Sequence, residues 1–141
     1  MTRIDFHTNI PDKLAYVCRL ARKAYAAQGK LVLLTEDAVQ ATALNDALWT
    51  FSETDFLPHV LAGDPLAART PIVVSHSDQD EPPHFDMLVN LTRNTPAHVA
   101  RFQRVFEIIS TDEADAAAGR KRYAAYKQQA FPLTHFVAGQ T

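Results

Sequence analysis

Apolar residues along this chain fall into two patterns, short continuous runs and longer stretches at helical spacing. The run Leu31-Val32-Leu33-Leu34 has no polar position, which predicts a strand buried on both faces of a parallel sheet. Before it, Leu14, Val17, Cys18, Leu20, Ala21, Ala24 and Tyr25 recur at helical intervals, the mark of a helix with one apolar stripe. Asn9-Ile10-Pro11-Asp12 predicts where that helix starts, with proline near the first turn, where a missing N–H is harmless. Gln28-Gly29-Lys30 predicts where it stops, with Gly29 in the C-cap role. Beyond the run, Thr35-Glu36-Asp37 reads as a capping segment for a second helix through Ala38, Val39, Ala43, Leu44, Ala47 and Leu48.

The alternation continues towards both ends. Arg3 to His7 predicts a first strand. Pro71 to Ser75, Met87 to Leu91 and Arg104 to Ile109 predict three more. An acidic, proline-bearing loop spans Ser77 to Pro83, and Pro96 opens a short helix through Ala97 to Phe102. Asp112 to Gln129 predicts a last helix, with acidic residues in its first turn complementing the helix dipole. No internal repeat or low-complexity tract interrupts the chain. These elements predict one α/β domain over residues 1–141, an open three-layer Rossmann-like architecture with a mostly parallel sheet of about five strands. The pattern does not give the strand order.

Composition narrows the function. At 141 residues, 47% hydrophobic and 21% charged, the chain is an ordinary globular domain. Its net charge of −2 gives no general pull towards nucleic acid or an anionic membrane. The opening segment meets a charge and a histidine before any apolar run builds, and no stretch is long and apolar enough to span a bilayer, so a cytoplasmic protein without membrane contact is expected. Cys18 is the only cysteine. It has no disulfide partner, and its place on an apolar stripe favours packing over a catalytic thiol.

Candidate chemistry is sparse. The four glycines, Gly29, Gly63, Gly119 and Gly139, form no phosphate-cradling loop, so no cofactor is expected. The six histidines contain no ligand pair. Convergence of His7, His76 and His84 at strand ends stays open, and with it the alternative of a small nucleotide- or metal-binding α/β enzyme. Ser75-His76-Ser77-Asp78 holds the residue types of a hydrolase triad, but adjacency in sequence says nothing of convergence in space.

Two other segments stand out. In the first, Trp49, the only tryptophan, lies at a helix exit before a loop with Phe51, Phe56, Pro58 and His59. Rings on a loop either cap the core or meet a partner. In the second, Gly119-Arg120-Lys121-Arg122-Tyr123-Ala124-Ala125-Tyr126-Lys127, the residues Arg120, Tyr123 and Lys127 fall on one helix face, and Arg122 and Tyr126 make an adjacent pair. That face is either a solvated surface or a groove for an acidic peptide or a nucleic-acid backbone.

The run Leu44-Asn45-Asp46-Ala47-Leu48-Trp49, then Phe56-Leu57-Pro58-His59 and Leu61-Ala62-Gly63, then Arg122-Tyr123 through Tyr126-Lys127 to Phe131, resembles the chi subunit family of bacterial DNA polymerase III. The likeness covers nearly the whole chain and is poorest over 65–84. It implies a Rossmann-like fold without a nucleotide, and no intrinsic catalysis in a subunit of a DNA-directed DNA polymerase. It also implies a bridging role in which DNA is contacted only indirectly. One surface would hold the psi subunit of the clamp loader, here Trp49, Phe56, Pro58 and His59. Another would grip the acidic, phenylalanine-ended C-terminal tail of single-stranded DNA-binding protein. That site would centre on Arg120 and Tyr123, with Ile109 as an apolar wall and Lys121 and Lys127 as further cations. Where relatives can carry lysine in the last helix, this chain has Ala116 and Ala124.

Overall fold

The structure is a computed structural model that describes residues 2–50, 56–79 and 81–139. Its elements are β1 (Arg3–Ile10), α1 (Lys13–Ala26), β2 (Leu31–Leu34), α2 (Ala38–Thr50), β3 (His59–Leu61), β4 (Ile72–Ser75), β5 (Met87–Asn90), β6 (Arg104–Ser110), α3 (Glu113–Gln128) and β7 (Leu133–Val137). Among the described residues the sheet has seven strands in the order β3-β4-β2-β5-β6-β1-β7. Every pairing is parallel. The five expected strands are present, and β3 and β7 add one strand at each edge.

Burial on both faces explains the unbroken Leu31–Leu34 run. Leu31 and Leu33 point into a core shared with Val17, Cys18 and Ala21 of α1 and with Ala41, Leu44 and Leu48 of α2. Val32 and Leu34 point the other way, into a core with Ile4, Phe6, Leu88, Val105, Ile109 and Tyr126 of α3. Successive strand residues face opposite sides, so a middle strand must be apolar at every position. Burial pushes the Cys18 thiol up to about 11, which leaves it protonated and unreactive.

Helix α3 covers only part of its face. Over the other part, Phe85, Val99 and Phe102 pack against Val32, Leu34 and Leu88. The short helix expected over Ala97 to Phe102 is a single 3-10 turn, Val99–Arg101. The acidic loop is latched over it. Arg101 donates to both Glu81 oxygens at 2.9 and 2.5 Å and lies over the Phe85 ring, and Asp78 accepts from the Ala97 N–H at 2.8 Å. Asp80 of that loop lies outside the described residues.

The expected glycine cap of α1 differs in detail. Gln28, not Gly29, takes the left-handed conformation, at φ 64°. The Gln28 N–H bonds Tyr25 O at 2.9 Å and the Gly29 N–H bonds Ala24 O at 2.8 Å, a Schellman ending. Gly29 serves close approach instead, because a Cβ there would lie 2.3 Å from the Met87 methyl. Helix α3 ends the same way, with Ala130 at φ 64° and the Phe131 N–H on Tyr126 O.

Candidate functional site

A cavity of about 670 Å³ opens at the carboxyl ends of β1 and β6 beneath α3. Open parallel sheets bind ligands at this end. Its apolar wall is Ile109, Ala116, Gly119 and Tyr123, and Arg120 stands at its rim. Gly119 permits this shape. A Cβ there would sit 2.2 Å from Ile109 Cδ1, so a larger residue would displace the isoleucine that forms the wall. Tyr123 is held edge-on to Phe6, with ring centroids 5.1 Å apart. Thr8, bonded to His135 of β7 at 2.8 Å, closes the far side.

The structure thus brings Ile109, Arg120 and Tyr123 together. Lys121 does not join them. One residue along a helix turns the side chain by about 100°, and Lys121 lines a separate shallow depression with Arg93, Ala117 and Ala125. Lys127 is exposed in the last turn of α3, one turn beyond the cavity lining. Ala116 lines the cavity, whereas Ala124 is exposed outside it.

The Arg122 and Tyr126 pair read as an adjacent surface pair is buried instead. Arg122 is 3% exposed and Tyr126 0%, and both reach Glu107, fully buried on β6. Arg122 Nε donates to Glu107 Oε1 at 3.1 Å, Tyr126 donates to Oε2 at 2.7 Å, and Asn90 donates to Oε1 at 2.9 Å. Burial pushes the Glu107 carboxyl up from its ordinary range, against Arg122, Tyr126 and Asn90, which favour the charged form. Burial also raises the Tyr126 hydroxyl, and the Glu107 charge adds to it. The network fixes α3 on the sheet and so fixes the cavity beneath it. Local spacing could not reveal it, because Glu107 lies fifteen residues from Arg122 on another element.

One charged residue at the cavity was not anticipated. Glu113 lines it and accepts from Arg120 Nη2 at 2.8 Å. The spacing held the signal, since 113, 116, 120 and 123 recur along one helix face.

The aromatic segment forms a second surface. Trp49 is 54% exposed and Phe56 64%, with ring centroids 5.5 Å apart. His59 is buried, its ring 4.6 Å from Trp49 and its Nδ1 2.6 Å from Leu57 O. It props the tryptophan from beneath rather than facing outward. Pro58 is half-buried, and Phe51 lies outside the described residues. The patch sits beside β3, at the sheet edge opposite β7. Six strand spacings of about 4.8 Å separate those edges, roughly 29 Å.

The strand-end histidines do not converge. His7 is on β1 and contacts Tyr16 and Phe136, whereas His76 follows β4. Three strands, β2, β5 and β6, lie between. His84 Nε2 meets Thr70 O at 3.3 Å. Among the described residues no group of three or more His, Cys, Asp or Glu side chains could hold a metal ion.

Comparison with known proteins agrees over the length of the chain. Residues 1–134 match the family described as DNA polymerase III chi subunit, HolC. The chain is 36% identical over 140 residues to the DNA polymerase III subunit chi of Pseudomonas aeruginosa, covering 94% of each. It is 26% identical over 117 residues to that of Escherichia coli K12, covering 83% of this chain and 80% of the relative. Among solved structures, the crystal structure of T4 UvsW superposes with a TM-score of 0.70 at 10% identity, over 97% of this chain and 41% of that longer one. At that identity the likeness speaks for the fold alone. The family match and the curated relatives place this chain in the family of DNA polymerase III chi subunits, with an accessory role in replication.

Proposed function

We propose that this protein is a non-catalytic replication adaptor joining two partners through the two surfaces described above. The cavity under α3 takes the acidic, phenylalanine-ended C-terminal tail of single-stranded DNA-binding protein. The Trp49–Phe56 patch docks the psi subunit, and through it the clamp loader. DNA is then reached only indirectly.

The observation that carries this reading is the convergence of Arg120, Tyr123 and Ile109 on one cavity. A guanidinium offers a planar fork matched to a carboxylate. A terminal phenyl ring needs an apolar slot within reach of that fork, and Ile109, Ala116, Gly119 and Tyr123 line one. The other surface has the composition of an interface anchor, with large rings held out in water over a buried support. Separate parts of the sheet, β3 for the patch and β6 and β1 for the cavity, suit an adaptor, since neither partner would block the other.

The test is fluorescence anisotropy of a labelled tail peptide titrated with the protein at low salt. Wild type should bind saturably and weaken as salt rises. Arg120→Ala should lose at least tenfold in affinity while melting at the wild-type temperature. Equal binding by Arg120→Ala would place the site elsewhere.

A further inference from the structure

Arg120 does not wait unpaired. Its Nη2 donates to Glu113 Oε1 at 2.8 Å, and both side chains are well exposed, at 66% and 84%. Glu113 lies seven residues before Arg120, two turns along the same face of α3, and both line the cavity. Among the described residues that line it, these two carry the formal charges at neutral pH, so the lining as it stands is close to electrically neutral.

We infer that Glu113 is a built-in competitor for Arg120 that raises the threshold an incoming carboxylate must meet to hold the guanidinium. The inference rests on the tail-binding reading above. A ligand carboxylate that takes both prongs of the guanidinium must displace Glu113 from Nη2 or share that nitrogen with it. Glu113 then stays at the mouth as a negative charge facing an acidic chain. Both effects weaken binding, and the second grows with the charge of the ligand. The pair also holds the Arg120 side chain along the helix, over the cavity, when no ligand is present. Glu113 is therefore a specificity-determining residue. A ligand that offers a carboxylate alone repays less of the displaced contact than a terminal carboxylate with an aromatic ring beside it.

The geometry makes the competition modest. An ion pair this exposed is screened by water and contributes little, so removing it should tighten binding about two- to fivefold. Removing the negative charge also leaves the site more positive, so binding should fall more steeply with salt.

The experiment titrates a labelled acidic peptide ending in phenylalanine with a free carboxylate into wild type, Glu113→Gln, Glu113→Ala and Arg120→Ala, at two salt concentrations. Both Glu113 variants should bind about two- to fivefold more tightly than wild type, with a steeper salt dependence. Thermal melts run in parallel read any change at the first turn of α3 separately. Unchanged or weaker binding in both Glu113 variants, with binding still lost in Arg120→Ala, overturns the competitor role and leaves the tail site standing. No binding by wild type or any variant at low salt overturns the tail site and the competitor role together.

Discussion

The groove under α3 and the patch at Trp49 differ in what supports them. The groove is charged at its rim and apolar inside, and it stands on a buried polar network. Glu107, Arg122, Tyr126 and Asn90 lock α3 to the sheet with no side chain left in water. The patch has exposed rings, Trp49 and Phe56, over a buried histidine, His59. A groove that reads one carboxylate and one ring needs fixed geometry, because a guanidinium fork is specific only if it is aimed. A patch that buries area against a folded partner needs only apolar surface in roughly the right place. On the proposed reading, the buried network supports the surface where recognition depends on angle.

Breaking the network should have the largest effect. Arg122→Ala leaves Glu107 buried without its ionic partner, and stability by urea denaturation should fall by about 3–5 kcal/mol. Trp49→Ala should leave stability nearly unchanged, because the ring is more than half in water. Its cost should appear in partner binding instead. Loss of an anchoring ring weakens such interfaces by about 2 kcal/mol or more, read by calorimetry with the psi subunit. Tail-peptide affinity should stay within about twofold of wild type, since the patch beside β3 and the groove at β6 and β1 are separated by several strands.

Acid should act on the groove half first. Burial alone would raise the Asp115 carboxyl, but the Ser110 N–H and the Lys13 ammonium outweigh it and hold it below its ordinary range. Asp5 behaves alike, burial being outweighed by hydrogen bonds from Thr134 and Arg104. Both carboxylates give up protons more readily folded than unfolded. Their contribution is therefore complete above about pH 5 and is lost as pH falls through the ordinary carboxylate range and below it. Hydrogen exchange between pH 6 and 3 should lose protection in β1 and α3 before β4, and uniform loss would contradict the assignment. The smallest effect concerns the end of α3. Ala130 carries a positive φ that an L side chain adopts at a cost, so Ala130→Gly should stabilise by up to about 1 kcal/mol in a thermal melt, with no change at the patch.

What could be read in the sequence follows from how local each feature is. Leu31–Leu34 announced a doubly buried strand because each residue reports one face of the sheet. Arg120 and Tyr123 announced a face because their spacing is helical and both reach the cavity. The edge strands were missed for opposite reasons. His59–Leu61 has three residues, too few for a period-two pattern, and Leu133–Val137 is an edge with three exposed positions in its middle. Arg122 looked like a surface cation because its counter-charge, Glu107, is on another element. Gly29 looked like a left-handed cap, yet it makes room for Met87, a contact across the sheet that no local rule contains. The place of Glu113 on the cavity face follows from its spacing with Ala116, Arg120 and Tyr123, but its ordinary position in an acidic first turn gave no reason to look for it there.

The most direct test uses the lone tryptophan as an internal control. In a nuclear magnetic resonance titration of labelled protein with the tail peptide, the backbone amides of Ile109, Gly119, Arg120 and Tyr123 should shift while the Trp49 indole N–H stays in place. A moving indole signal, with those four amides unmoved, would put the peptide on the patch and contradict the proposed division of labour between the two surfaces.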